Sequence, residues 1–222
     1  MCWLDKQSID TILKIRDKFN ITTFVETGTY KGVNAKLYAQ HFKKVLTCDI
    51  DDDYLDIAKK RLKPYKNVKV FKKSSPDFLR HFINKYKADK REDIVLIFLD
   101  AHFYDPLLEE KWVVVNELKV LKKFKNCVIV IHDFDCEGWG HCVYDGEALG
   151  FPLVKKYLKD RHLYTNSIAD IYGLETIKGV KGIDLDEETI DNINYAWSKE
   201  VPERGILYCS PKPLKINGLK LN

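Results

Sequence analysis

Apolar residues along this chain recur with two alternating periods. Ile9, Ile12, Leu13 and Phe19 fall on one stripe with Lys and Asp between them, which predicts an amphipathic lead-in helix over 8–19. Residues 21–25 are β-branched and aromatic and read as a buried strand, and 33–42 returns to helical spacing. The alternation continues: strand 44–49, helix 53–63 stopped by Pro64, strand 67–71, and helix 76–86 with Pro76 in its first turn. Residues 93–99 are nearly all apolar, as suits a central parallel strand covered on both faces. A long helix over 107–124 and a second apolar strand over 127–131 follow. Strict alternation of this kind predicts a parallel sheet with helices on both sides.

After residue 150 the pattern changes. A helix over 152–158, a strand near 163–169, a polar helical segment over 184–199 and a strand over 206–209 are expected, then an irregular tail over 211–222 that carries two prolines. The expected fold is α/β, with a doubly wound, mostly parallel, seven-stranded Rossmann-like sheet. One domain spans 1–222, divided into the lead-in helix (1–20), a core (21–150) and a C-terminal region with tail (151–222).

Composition narrows the class without choosing a chemistry. A net charge of +4 spread over many segments describes a solvated surface and gives little reason to expect nucleic acid. The lysine run at 85–90 precedes an apolar strand and reads as an exposed loop. The six cysteines show no CxxC pair and no zinc-ribbon spacing, so free thiols in a reducing compartment are expected, with Cys48 and Cys127 as small core residues. No leader-like apolar region and no apolar run long enough for a bilayer are present, so a soluble, cytoplasmic protein without a membrane partner is expected. A homodimer is among the assemblies the sequence allows.

The first strand-to-helix turn reads Phe24-Val25-Glu26-Thr27-Gly28-Thr29-Tyr30-Lys31-Gly32. In open α/β sheets ligands dock at such a turn, outside the carboxyl ends of the strands. Gly28 would let backbone approach a ligand, and Gly32 would let the helix start pack against the sheet. A dinucleotide fold wants G-x-G-x-x-G, whose amides cradle a pyrophosphate. In this chain the order is Glu-x-Gly-x-x-x-Gly, and a charged Glu26 would repel phosphate and suit an ammonium group. Asp49 ends the second strand, where a carboxylate can accept from both ribose hydroxyls; Asp51, Asp52 and Asp53 read as the cap and first-turn acids of the next helix. Ser74 and Ser75 follow the third strand and could meet a nucleobase, with Ser75 as the cap of the helix that starts at Pro76.

Two adjacent strands deliver ionisable clusters to that same edge: Leu99-Asp100-Ala101-His102 and Ile131-His132-Asp133-Phe134-Asp135. Such groups at the ends of apolar strands are costly unless satisfied. Either Asp100, His132 and Asp133 hold a divalent metal that acidifies a substrate hydroxyl, or His102 alone takes the proton, or the groups only satisfy loop backbone.

The glycine loop resembles motif I of class I S-adenosylmethionine-dependent methyltransferases. Leu-Asp-Ala-His with Ile-His-Asp-Phe resembles the Leu-Asp-Ala-Asp and Asp-Asp-Tyr pair of metal-dependent O-methyltransferases that act on sugars of antibiotics and macrolides, and more distantly catechol O-methyltransferase. The resemblance covers roughly 21–150. It implies that Glu26, Gly28, Thr29, Gly32, Asp49, Ser74, Ser75 and Asp100 hold S-adenosylmethionine, and that a C-terminal antiparallel hairpin closes the sheet. It further implies that Asp100 and Asp133 are metal ligands or acceptor-orienting groups, that His102 is the base, and that His132 stands where the family has a ligand carboxylate. Histidine there would favour manganese or zinc over magnesium, or no ion at all. The loop Glu137-Gly-Trp-Gly-His-Cys-Val-Tyr-Asp145-Gly146 offers Trp139, His141 and Tyr144 as an acceptor pocket, or packs on itself. Tyr30 and Trp112 read as packing residues.

The expected function is O-methylation of a small-molecule or sugar hydroxyl. An N-methyltransferase on a protein or nucleic acid, a non-catalytic cofactor-binding module and a nicotinamide-dependent oxidoreductase stand as alternatives, the last lacking the glycine order it needs.

Overall fold

The computed structural model describes residues 6–101, 111–136, 141–166 and 205–222. Helix α1 (Lys6–Phe19) leads into β1 (Thr23–Thr27), α2 (Val33–Ala39), β2 (Lys44–Asp49), α3 (Asp52–Leu62), β3 (Val68–Lys72), α4 (Ser75–Ala88) and β4 (Val95–Leu99). Then come α5 (Val113–Leu121), β5 (Cys127–Ile131), a short hairpin of β6 (Val143–Tyr144) and β7 (Glu147–Ala148), and α6 (Phe151–Val154) with one 3₁₀ turn (Lys155–Tyr157). Strands β8 (His162–Asn166), β9 (Leu207–Ser210) and β10 (Leu219–Leu221) close the chain. The predicted elements within the described residues are all present, shifted by one to three residues at most ends. The expected helix over 184–199, residues 107–110 of the expected helix over 107–124 and residues 167–169 of the expected strand near 163–169 lie outside the described residues.

The main sheet has eight strands in the order β10-β8-β9-β5-β4-β1-β2-β3, so the count of seven was one short. The extra strand is β10, which corrects the reading of 211–222 as irregular: Leu219 pairs with Asn166 and Leu221 with Tyr164, antiparallel. Three residues after Gly218 at the sheet's edge give too short a pattern to read. The parallel pairs β1–β2, β1–β4, β2–β3 and β4–β5 form the centre, and β9 runs antiparallel to β5 and β8. The lysine run at 85–90 is also corrected, since it forms the last turn of α4 and the turn beyond it, where cations complement the helix dipole.

Period two explains how the centre is buried. Along β4, Val95, Ile97 and Leu99 face a core shared with α4 and α5, while Leu96 and Phe98 face a second core built with α1, α2 and α3. Both sets are excluded from water, so each side chain contributes roughly 1.5–3 kcal/mol of burial. The consequence for function is positional. With both faces covered, the central strands can meet a ligand only at their ends, and the strand order reverses between β1 and β4.

The last antiparallel strands lock one side of the carboxyl edge. Phe134 N donates to Gly205 O at 2.9 Å, and a Cβ at Gly205 would lie 2.2 Å from Phe134 O. Gly205→Ala must push the two segments apart, so a loss of roughly 1–3 kcal/mol or more is expected in urea unfolding. Wild-type stability for that variant would show that the two segments are not in such close contact.

Candidate active site

Register brings the singled-out residues together. Glu26 pairs with Phe98 and Thr47, Thr27 with Leu99 and Cys48, and Leu99 with Ile131, so Glu26, Asp49, Asp100, His132 and Asp133 all stand at the carboxyl edge. Gly28 has φ +83, and a Cβ there would lie 2.6 Å from Asp100 O. Glycine is therefore required by the chain's own β4 loop, before any ligand is considered. Gly32 (φ +79) packs against Ala58 and Leu62 of α3, which corrects the expectation that it packs on the sheet.

Asp49 ties two loops. Its Oδ2 accepts from Tyr30 N at 2.7 Å, and Oδ1 accepts from Ile50 N and Asp51 N at 2.8 and 3.1 Å. Tyr30 is held at φ +46 by that bond, and its ring lies 4.4 Å from Tyr54. A carboxylate offers about four acceptor positions, so Asp49 retains capacity for one ligand hydroxyl more readily than for two. Ile50 beside it is 60% exposed, an apolar surface at the crevice lip that sequence reasoning did not single out. Asp51 caps α3 through Tyr54 N, as expected.

Glu26 is sealed from water at the end of β1. It is 1% exposed, with Oε2 accepting from Thr47 Oγ1 at 2.6 Å and Thr47 Oγ1 lying 2.7 Å from Thr29 Oγ1. Burial raises its pKa to about 8; the Thr47 and Asn34 contacts lower it, and the Asp100 and Asp49 charges raise it. Burial thus shifts the floor residue toward its neutral form, and a cation alongside would favour the charged one. Thr29 enters the site as the far end of this hydroxyl chain.

A second buried acid was missed. Glu117 on α5 is 1% exposed, and burial pushes its pKa up to about 7. The Ser75 and Thr27 hydroxyls alongside pull it back, and the Asp100 charge raises it. Among the described residues its Oε1 and Ser75 Oγ nevertheless complete no hydrogen bond. The sequence did carry a signal: Val114, Glu117, Leu118 and Leu121 form one buried stripe, and an acid on such a stripe needs a reason. Ser75 does not cap α4, contrary to expectation. Ser74 does, accepting from Asp77 N and donating to Asp77 Oδ2.

On the acceptor side, His132 is fully buried, with Nδ1 3.1 Å from Asp100 Oδ1 and 3.3 Å from Asp133 Oδ1. One donor atom from each of these three residues lies within 4.8 Å of the others. Asp133 sits at φ +54, a strained conformation for a non-glycine residue, with Cys142 Sγ 3.2 Å from its Oδ2. His102 and Trp139 lie outside the described residues. His141 is half-buried, Nδ1 3.5 Å from Asp135 Oδ1, and Tyr144 packs on Trp112 at 5.2 Å between ring centroids. Trp112 is a buried packing residue as expected, its Nε1 donating to Glu147. Cys48 and Cys127 are core residues, their thiols pushed up by burial.

No protein-family model matches the sequence, and no curated protein does. The fold does match solved structures. The methyltransferase domain of bacterial CtHen1 superposes with a TM-score of 0.50 at 15% identity, over 92% of this chain and 97% of that one. A SAM-dependent methyltransferase from Archaeoglobus fulgidus gives 0.50 at 14%, over 93% and 94%. The plantazolicin methyltransferase BamL, in complex with a triazolic desmethylPZN analog and SAH, gives 0.51 at 15%, over 93% and 85%. At these identities the likeness is one of fold: a Rossmann-like methyltransferase fold with a large, parallel-centred sheet.

The two raised acids set a direction for stability. Between about 4.5, the ordinary value, and the raised values near 7 and 8, the folded chain binds more protons than the unfolded one. Stability contributed by these groups is thus complete at low pH and lost as pH rises through that window, by up to about 1.4 kcal/mol per pH unit per carboxyl. Urea unfolding of Glu26→Gln and Glu117→Gln should show a shallower fall with pH than wild type. An unchanged slope would place both carboxyls in water.

Proposed function

We propose that the chain is an S-adenosylmethionine-dependent methyltransferase acting on a hydroxyl oxygen of a small molecule or sugar. The observation that carries this reading is the buried Glu26 carboxyl beside Gly28, at the point where strand order reverses. A diphosphate at that place would meet Glu26, Asp49 and Asp100. A sulfonium amino acid instead brings cationic groups, against which Glu26 gives up its proton. The neighbouring BamL structure, which contains SAH, supports the same ligand class.

In this reading Glu26, Gly28 and Thr29 receive the methionine portion, Asp49 the ribose, and Ser74, Ser75 and exposed Ile50 surround the base. The acceptor oxygen attacks the sulfonium methyl in line; the new C–O bond forms as the C–S bond breaks, and neutral S-adenosylhomocysteine leaves. Asp100 and Asp133 orient the acceptor, and His102 takes its proton. Asp100, His132 and Asp133 together fit a divalent ion with mixed nitrogen and oxygen ligands, and such an ion, when bound, would polarise the acceptor hydroxyl. The acids around the acceptor side argue against a polyanionic acceptor.

Calorimetry with S-adenosylmethionine, S-adenosylhomocysteine and NAD, followed by an acceptor screen with labelled methyl donor, tests the assignment. Binding of both adenosyl ligands and not NAD is expected. Repeated at pH 7 in buffers of different ionisation enthalpy, the titrations should reveal close to one proton released. NAD as the preferred ligand, or no proton release, would remove Glu26 from recognition of the sulfonium amino acid.

Asp49→Asn should weaken adenosylhomocysteine binding by roughly tenfold or more, whereas His102→Ala should lower turnover far more than affinity. Turnover that survives prolonged chelation would show that no metal takes part.

A further inference from the structure

The opposite ends of the same strands carry an unbalanced group of cations. Lys44 opens β2, where it pairs with Thr23 of β1; two residues on, Leu46 pairs with Lys69 of β3. Partners in register, and residues two apart on one strand, share a face of the sheet. Thr23, Lys44 and Lys69 therefore stand on the face that carries Val25, Leu46 and Cys48 into the core shared with α4. Arg91, in the turn between α4 and β4, reaches the same place and donates from Nη2 to Thr23 Oγ1 at 3.0 Å.

The acids nearby are already committed. Both oxygens of Asp93 accept from Arg91, and Asp89 pairs with Lys85 at 3.3 Å. Lys44 is half-buried and Lys69 exposed, and neither makes an ion pair or a side-chain hydrogen bond among the described residues. Burial holds the Lys44 ammonium below its ordinary pKa; the charges of Arg91, Lys69 and Lys85 push the same way, and Asp89 pulls weakly back. Lys85 has a local explanation in the last turn of α4, where a cation complements the helix dipole. Lys44 begins a strand and has none. A half-buried charge without a counter-ion is costly, and an anion is what would relieve it.

We infer that Lys44, Lys69 and Arg91 form a binding site for a small, multiply charged oxyanion of the phosphate class, at the amino edge of the sheet. The site stands independently of the methyl-transfer reading, since the five residues of β1 separate it from the crevice by roughly 15 Å. Two uncompensated ammonium groups call for more than one negative charge. Lysine meets phosphoryl oxygens as a point charge, and Arg91 keeps Nη1 for a further bond. Asp89, Glu92 and Asp93 stand in the adjoining turn and would repel a long chain of phosphates, which favours a small ion over a polymer.

The test is calorimetry with sodium pyrophosphate, at an ionic strength held constant with chloride, with melting temperatures measured alongside. Wild type should bind at a single site, with a saturable rise in melting temperature that chloride does not reproduce. Lys44→Met and Lys69→Met should each weaken binding by about tenfold or more, whereas Lys59→Met, which removes a cation paired with Asp56, should leave it unchanged. Without ligand, Lys44→Met should melt at or above the wild-type temperature, because it removes a crowded charge and keeps the apolar stem. Absence of binding, an equal rise with chloride, or unaltered affinity in Lys44→Met and Lys69→Met overturns the inference. A lower melting temperature for ligand-free Lys44→Met overturns it too, by showing that the ammonium already has a structural partner. Tighter binding of a short single-stranded oligonucleotide than of pyrophosphate would replace the small ion with a polymer.

Discussion

Carboxyl groups converge on a surface that water can barely reach, and the site depends on how that conflict is resolved. Glu26 at the end of β1, Glu117 on α5, and Asp100 and Asp133 at the ends of β4 and β5 are all buried or nearly so. Full ionisation of such a cluster is prohibitively costly in a medium of low dielectric. Two of its members escape by holding their protons near neutral pH, with burial as the main cause. The crevice is thereby prepared for positive charge, because a cation restores the charged form of an acid that burial has suppressed.

Geometry around the acids is set mainly by backbone, with side chains filling in. Gly28 must be glycine because Asp100 O occupies the space where its Cβ would be, and this close approach brings the β1 and β4 loops together. Asp49 fastens the glycine loop to the end of β2 through Tyr30 N. Asp133 is held at positive φ by the segments on either side: its carbonyl accepts from Cys142 N, and Phe134 N donates to Gly205 O. Strain of this kind persists only where surrounding contacts over-determine it, and at Asp133 it turns a carboxylate toward His132.

The two ends of the crevice differ in kind. The end near β2 and β3 combines an exposed isoleucine, the Ser74 hydroxyl that caps α4 and one tied carboxylate, the surface assigned to the nucleoside in the proposed complex. The end near β5 is made of imidazole and carboxyl groups within a few ångströms of one another, suited to proton transfer or a divalent ion. The proposed passage of a methyl group from a nucleoside-bound donor to a hydroxyl acceptor would need two such surfaces at one edge, and these two lie at the carboxyl edge on either side of the reversal of strand order between β1 and β4.

Most of the architecture was legible in the sequence, because a strand covered on both faces must be apolar throughout and an amphipathic helix must repeat near 3.6. Both signals are local, as in 95–99 and 127–131. Carboxylates and glycines at strand ends, such as Glu26, Gly28, Asp49, Asp100 and Asp133, could be found the same way. What the local pattern could not carry was anything fixed by distant partners. The raised pKa of Glu26 depends on how completely other elements exclude water from it. The burial of Glu117 depends on helix α5 packing against α4 and the sheet, and the capping of α4 by Ser74 on one turn's dihedral angles. The three-residue strand β10 exists only because β8 offers an edge to pair with. Periodicity thus determined which elements form, while charge state, hydrogen-bond direction and the edge of the sheet were decided by tertiary packing, since each depends on neighbours that are remote in sequence.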